Sequence, residues 1–101
     1  MDLAIANLRV LVTAGANGIG LEIARSFVTE GARVHVCDID HDALGKLAAS
    51  DPKLTWSVCD VADRASVAKL FDEALAALGG LDVLVNNAGI AGPTGRAEEI
   101  N

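Results

Sequence analysis

The stretch Leu8-Arg9-Val10-Leu11-Val12-Thr13-Ala14-Gly15-Ala16-Asn17-Gly18-Ile19-Gly20 decides how this chain is read. An apolar run, Val10-Leu11-Val12, passes directly into glycines at 15, 18 and 20. An amphipathic series follows: Ile19, Ile23, Ala24, Phe27 and Val28. That order is strand, tight turn, helix. Glycines keep side chains out of the turn, so an anion can reach the free N–H groups of the helix's first turn. Those groups and the helix dipole favour negative charge. The spacing is G-x-x-G-x-G, not the usual G-x-G-x-x-G, and alone it fits a plain strand–helix turn equally well.

Working outward, a second apolar run, Val34-His35-Val36-Cys37, ends at Asp38. This acid falls roughly 20 residues past the glycines, where a dinucleotide-binding unit places the carboxylate that holds the ribose hydroxyls. The first strand is expected over 9–13 and the first helix over 18–30, with Gly31 as the left-handed residue after its end. Strand two covers 33–38. Asp40 caps a short helix over 41–49, which Asp51-Pro52 breaks. Strand three, 54–59, alternates: Leu54, Trp56 and Val58 on one face, Thr55 and Ser57 on the other, as at a sheet edge with one face partly wet. Asp63 or Ser66 caps the next helix. Its apolar residues Val67, Leu70, Phe71, Ala74, Leu75 and Leu78 keep helical spacing, and Gly79-Gly80 stops it. Strand four, 81–86, is apolar on both faces at Val83-Leu84-Val85, as in a central parallel strand. Asn86-Asn87-Ala88-Gly89 and a loop around Gly92-Pro93-Thr94-Gly95 follow, and residues 96–101 start no new element.

The pattern βαβαβαβ with right-handed crossovers implies an α/β, Rossmann-like parallel sheet in the order 3-2-1-4. A ligand crevice is then expected at the carboxyl ends of strands one and four. Gly15 to Gly20, Asp38, Asp60 and Asn87 to Gly89 all fall on that rim.

The bulk properties narrow the function class. At 101 residues the chain is one domain at most, and 51% hydrophobic residues is more than so small a unit hides easily. The composition suits a piece of something larger. A net charge of −6 argues against nucleic acid and anionic membrane surfaces as partners. The apolar runs are far below the ~20 residues of a membrane span. Residues 1–7 are expected as a frayed lead-in, and Met1-Asp2-Leu3-Ala4-Ile5 has no basic stretch, so no secretory leader is expected. A cytoplasmic setting follows, with Cys37 and Cys59 as reduced thiols.

Thr13-Ala14-Gly15-Ala16-Asn17-Gly18-Ile19-Gly20, Asp38, Cys59-Asp60-Val61 and Asn86-Asn87-Ala88-Gly89 together resemble the short-chain dehydrogenase/reductase family. Its opening signature is T-G-x-x-x-G-x-G and its strand-four signature is N-N-A-G. The resemblance covers about residues 8–101, less than half of a complete member. It implies that Gly18, Ile19 and Gly20, with Gly15, form the pyrophosphate turn of NAD, with Asn17 near the adenosine ribose. It implies that Asp38 holds both adenosine hydroxyls. Asp60 would bind the adenine amino group, with Val61 beside the ring, and Asn87, Ala88 and Gly89 would line the floor toward the nicotinamide. Ala14 departs from the pattern, standing where the family has its first glycine, and its methyl group is expected to tighten the turn or shift it by one residue.

NAD is favoured over NADP. The Asp38 carboxylate repels a 2′-phosphate, and Ile39 follows it where a basic residue would be needed. The family's chemistry is hydride transfer between the cofactor and an alcohol or carbonyl substrate, assisted by a Tyr acid/base, a Lys four residues on and a Ser before it. This chain has no tyrosine, and Lys46, Lys53 and Lys69 fall on surface positions. The resemblance therefore implies a partial NAD-binding domain over 1–101 without the catalytic half, and little or no turnover by this chain alone. The alternative is a non-catalytic fragment that acts in folding or self-association through the open edge of strand four.

Plainer readings stand beside these. Asp60 could be a simple helix-cap acid. Asp82 leads the chain into strand four. Trp56 is edge packing, and Asp72-Glu73 and Glu98-Glu99 are solvated faces. His35 and Cys37 share a strand face, but no third or fourth metal ligand is apparent.

Overall fold

The computed structural model describes residues 6–89. Four strands, β1 (Arg9–Thr13), β2 (Arg33–Asp38), β3 (Thr55–Val58) and β4 (Val83–Val85), alternate with three helices, α1 (Gly18–Thr29), α2 (His41–Ser50) and α3 (Arg64–Leu78). A short 3₁₀ turn, Asn87–Gly89, closes the described chain. The strands form one sheet in the order β3-β2-β1-β4, and each pairing is parallel. The expected fold class, α/β and Rossmann-like, is the observed one.

Strand alternation sends side chains to the two helical layers. Val10, Val12, Val34 and Val36 face one way and pack with Ala24 of α1 and Leu44 and Leu47 of α2. Leu11 and Cys37 face the other way and pack with Leu70 and Ala74 of α3. Burying each such Val or Leu contributes about 1.5–3 kcal/mol, which fixes the register of the central pair. Gly79, at φ +80, turns the chain out of α3, and its amide donates to Leu75 O at 2.8 Å.

Several local expectations change. Helix α1 stops at Thr29, and α2 runs on to Ser50. Ile19 does not join the buried stripe of α1: it is 69% exposed, while the buried line of the helix runs through Gly20 and Ala24. β3 is shorter than 54–59, and its outer end departs from the simple alternation: Val58 is exposed while Ser57 is buried. β4 is only three residues long, and Leu84 is half exposed. Among the described residues β4 ends the sheet, so it lacks the second flank a central strand would have. Most of the expected lead-in, the Gly/Pro loop at 92–95 and residues 96–101 lie outside the described residues.

Candidate functional site

The site is built where β1 hands over to α1. Gly15 lies against β2: a Cβ there would sit 2.7 Å from Val36 Cβ, and its amide donates to Cys37 O at 3.0 Å. Gly18 has φ +61 with open space around it, so its role is conformational. Gly20 is a close-approach residue, since a Cβ would overlap the carbonyl oxygen of Ala14 and lie 2.7 Å from Asn87 Nδ2. Ala14 itself takes the left-handed conformation, φ +52.

The turn leaves the start of α1 bare. Asn17 is the N-cap residue but its side chain makes no capping hydrogen bond, and no acid lies in the first turn. The other helices are capped: Asp40 Oδ1 accepts from Ala43 N at 3.0 Å, and Asp63 Oδ1 accepts from Ala65 N at 3.0 Å. Asn17, Gly18 and Ile19 are exposed at this bare end.

Asp38 lies beside the turn. Its Oδ2 accepts from Ala16 N at 3.1 Å and its Oδ1 from Asp40 N at 3.0 Å. Two backbone donors thus aim the carboxylate while leaving further acceptor capacity on each oxygen. Asp60 does not cap α3. Its Oδ1 accepts from Ala62 N at 2.9 Å, and its own amide donates to Ser66 Oγ at 3.0 Å. The candidate capping roles thus divide, with Asp63 at the helix and Ser66 bracing the loop before it.

The β4 end is tied to the same turn. Asn87 Nδ2 donates to Ala14 O at 3.2 Å. Thr13 Oγ1 accepts from Ala88 N at 3.1 Å and donates to Asn86 Oδ1 at 3.2 Å. Sequence reasoning gave Thr13 no separate role. Its only advance signal was its place at the strand's end, because its partners come more than 70 residues later.

A compartment of about 130 Å3 brings together Ala14, Asp38, Ile39, Asp60, Val61 and Ala88, with Cys37 and Cys59 at its base. Gly18 and Ile19 belong instead to a separate open groove on α1. Both cysteines are free and buried. Burial, with Cys59 adding to it, pushes the Cys37 thiol up to about 12, so it stays protonated near neutral pH.

A larger cleft, about 640 Å3, opens between β3 and α3 and shares no lining residue with the rim compartment. His35 lies there, with Nδ1 2.7 Å from Thr55 Oγ1 and Nε2 2.7 Å from Ser57 Oγ. Burial lowers its pKa. Both ring nitrogens are engaged by hydroxyls, which makes it a satisfied interior histidine, and no group of three metal-ligating side chains occurs among the described residues.

Comparison with known proteins bears on this arrangement. A family model described as short chain dehydrogenase matches residues 8–101. Momilactone A synthase of Oryza sativa subsp. japonica is 46% identical over 85 residues, which are 82% of this chain and 31% of that protein. An apo SCOR enzyme structure from Clostridium thermocellum superposes with TM-score 0.76 at 38% identity, covering 80% of this chain and 33% of the other. The 3-ketoacyl-(acyl-carrier-protein) reductase of Brucella melitensis, solved with NADH, gives TM-score 0.74 at 25% identity over 79% of this chain and 34% of that one. The chain thus spans about a third of the length of the proteins it matches.

Proposed function

Since the chain belongs to the short-chain dehydrogenase family, we propose that residues 1–101 form a partial dinucleotide-binding domain, its site held by the four-stranded unit, with NAD preferred to NADP. The observation that carries this reading is the uncapped start of α1 beside the Asp38 carboxylate. Bare helix amides suit a diphosphate. A carboxylate next to them suits ribose hydroxyls and opposes a 2′-phosphate. Gly18, Ile19 and Gly20, with Gly15, would form the pyrophosphate turn, with Asn17 near the adenosine ribose. Asp38 and Ile39 would hold the ribose, Asp60 and Val61 the adenine, and Asn87, Ala88 and Gly89 the floor. The compartment joining Asp38, Asp60, Val61 and Ala88 fits that division.

The cofactor supplies the hydride acceptor or donor when bound. This chain's part is to grip the adenosine half and orient the remainder across the β1 and β4 ends. The longer protein of this kind would be an oxidoreductase acting on an alcohol or carbonyl compound in the cytoplasm. With no tyrosine, this chain alone is expected to turn nothing over. Titration with NAD, following backbone amide shifts, tests the reading: Gly18, Ile19 and Asp38 should move first, with NADP weaker. Unmoved amides at millimolar NAD would refute it.

A second reading has its own observation. β4 ends the sheet among the described residues, and Leu75 and Leu84 are 45% and 49% exposed. An unpaired strand edge that carries an exposed leucine, Leu84, favours pairing with another chain. The chain would then self-associate through β4, and sedimentation showing a monomer at high concentration would exclude this.

A further inference from the structure

One residue of the β1–α1 turn has a backbone and a side chain at odds. Ala14 sits at φ +52, where a Cβ crowds the chain and glycine is favoured. Its neighbours prevent relief. Gly15 cannot exchange roles with it, because a Cβ at 15 would press on Val36 Cβ and Cγ1 at 2.7 and 2.8 Å. The Ala14 carbonyl is held by Asn87 Nδ2 at 3.2 Å and packed against Gly20. Strain kept in place by such surroundings points to function. Ala14 also forms part of the wall of the 130 Å3 compartment that contains Asp38, Asp60 and Val61.

We propose that Ala14 is a specificity-determining residue of this compartment, narrowing the space for the adenosine half of a dinucleotide while leaving the pyrophosphate position unaltered. This rests on the nucleotide reading given above. The turn then holds adenosine less tightly than it would with glycine at 14, and more of the affinity comes from the anion at the start of α1. The ligand class concerned is adenine nucleotides.

The test compares this chain with Ala14→Gly and Ala14→Ser, titrated separately with AMP and with inorganic pyrophosphate by amide shifts. Ala14→Gly should bind AMP about tenfold tighter, the equivalent of about 1.4 kcal/mol of relieved overpacking, with pyrophosphate affinity unchanged. Ala14→Ser, larger at the same place, should bind AMP more weakly than the parent. Unchanged AMP affinity in Ala14→Gly overturns the inference. So does an equal gain for both ligands, which would mean a generally loosened turn. If pyrophosphate binds normally and AMP is insensitive to residue 14, only the role of Ala14 falls. If neither ligand binds any of the three proteins, the nucleotide reading falls and takes this inference with it.

Discussion

Helices α2 and α3 begin on aspartates that close their first turns, and α1 begins on an asparagine that does not. All three follow a strand of the same sheet at the same carboxyl rim. A side-chain cap stabilises a helix by about 1 kcal/mol, so leaving α1 without one forgoes stability that the chain obtains twice elsewhere. Beside the bare end lie a left-handed alanine, two glycines too closely packed to carry a side chain, and Asp38 held by two amides. The difference is that the α1 end lacks a side-chain cap while the other two ends are capped within the chain, and the proposed nucleotide site rests on that contrast.

The largest expected effect comes from filling the turn. In Gly20→Ala the new Cβ would overlap Ala14 O and lie 2.7 Å from Asn87 Nδ2, which donates to that same oxygen. Ala14 O is a backbone atom, so the backbone must shift even if the Asn87 side chain gives way. A loss of about 3 kcal/mol is expected in denaturant unfolding. A midpoint equal to the parent's would show that the turn is looser than the packing implies.

Exchanging the two kinds of helix start sharpens the comparison further. Asn17→Asp places a carboxylate on the bare end, where it should raise stability by about 0.5 kcal/mol through the dipole. The same charge should weaken NAD about tenfold by repelling its diphosphate. Asp63→Ala removes a finished cap and should lose about 1 kcal/mol with NAD affinity unchanged. Opposite signs for stability and affinity in Asn17→Asp are the decisive result. If both rise together, the bare end is an ordinary helix start.

How far the sequence disclosed these features depends on the range of the interactions behind them. Helix positions rest on periodicity, strand order on right-handed crossovers, and the Asp40 cap on a neighbour three residues on, so they could be read directly, while the cap of α3 was narrowed only to Asp63 or Ser66. Ile19 misled because the buried line of α1 runs through Gly20 and Ala24, and the close approach of Gly20 to Ala14 O is a contact that helical spacing does not reveal. The exposure of Val58 and the His35–Ser57 pair depend on how β3 meets β2 and α3, which alternation alone cannot supply. At the site, Asp38, Asp60 and Ala88 were recognisable as residues of one rim and share one compartment, which Ile39 and Val61 also line, while Gly18 and Ile19 of the same expected rim line a separate groove. The hydroxyl of Thr13 was not, because its partners Asn86 and Ala88 approach only when β4 docks. Ala14 was visible as a departure, but its left-handed backbone, with Gly15 kept for space instead, emerges only from the close approach to Val36.

The opposite pole of the sheet provides the smallest test and extends the comparison to a carboxylate that closes a strand end. Asp82, a lead-in residue by sequence, takes the guanidinium of Arg9 through Nε at 2.9 Å and Nη2 at 3.0 Å, and also accepts from Arg9 N at 2.9 Å. The Arg9 side chain first, and its amide second, hold the Asp82 carboxyl down at about 2. An unfolded aspartate titrates near 3.9, so the folded state favours the ionised form. The contribution is therefore complete above about pH 4 and is lost as pH falls through about 2. Both side chains remain about a third exposed, which screens the pair and keeps the effect small. Asp82→Asn should lower stability slightly at pH 6 and flatten the decline between pH 4 and 2 in denaturant midpoints measured against pH. Parallel acid limbs for the two proteins would mean that the Arg9 clasp adds nothing, and the finished ends of this sheet would then owe their stability to backbone pairing alone.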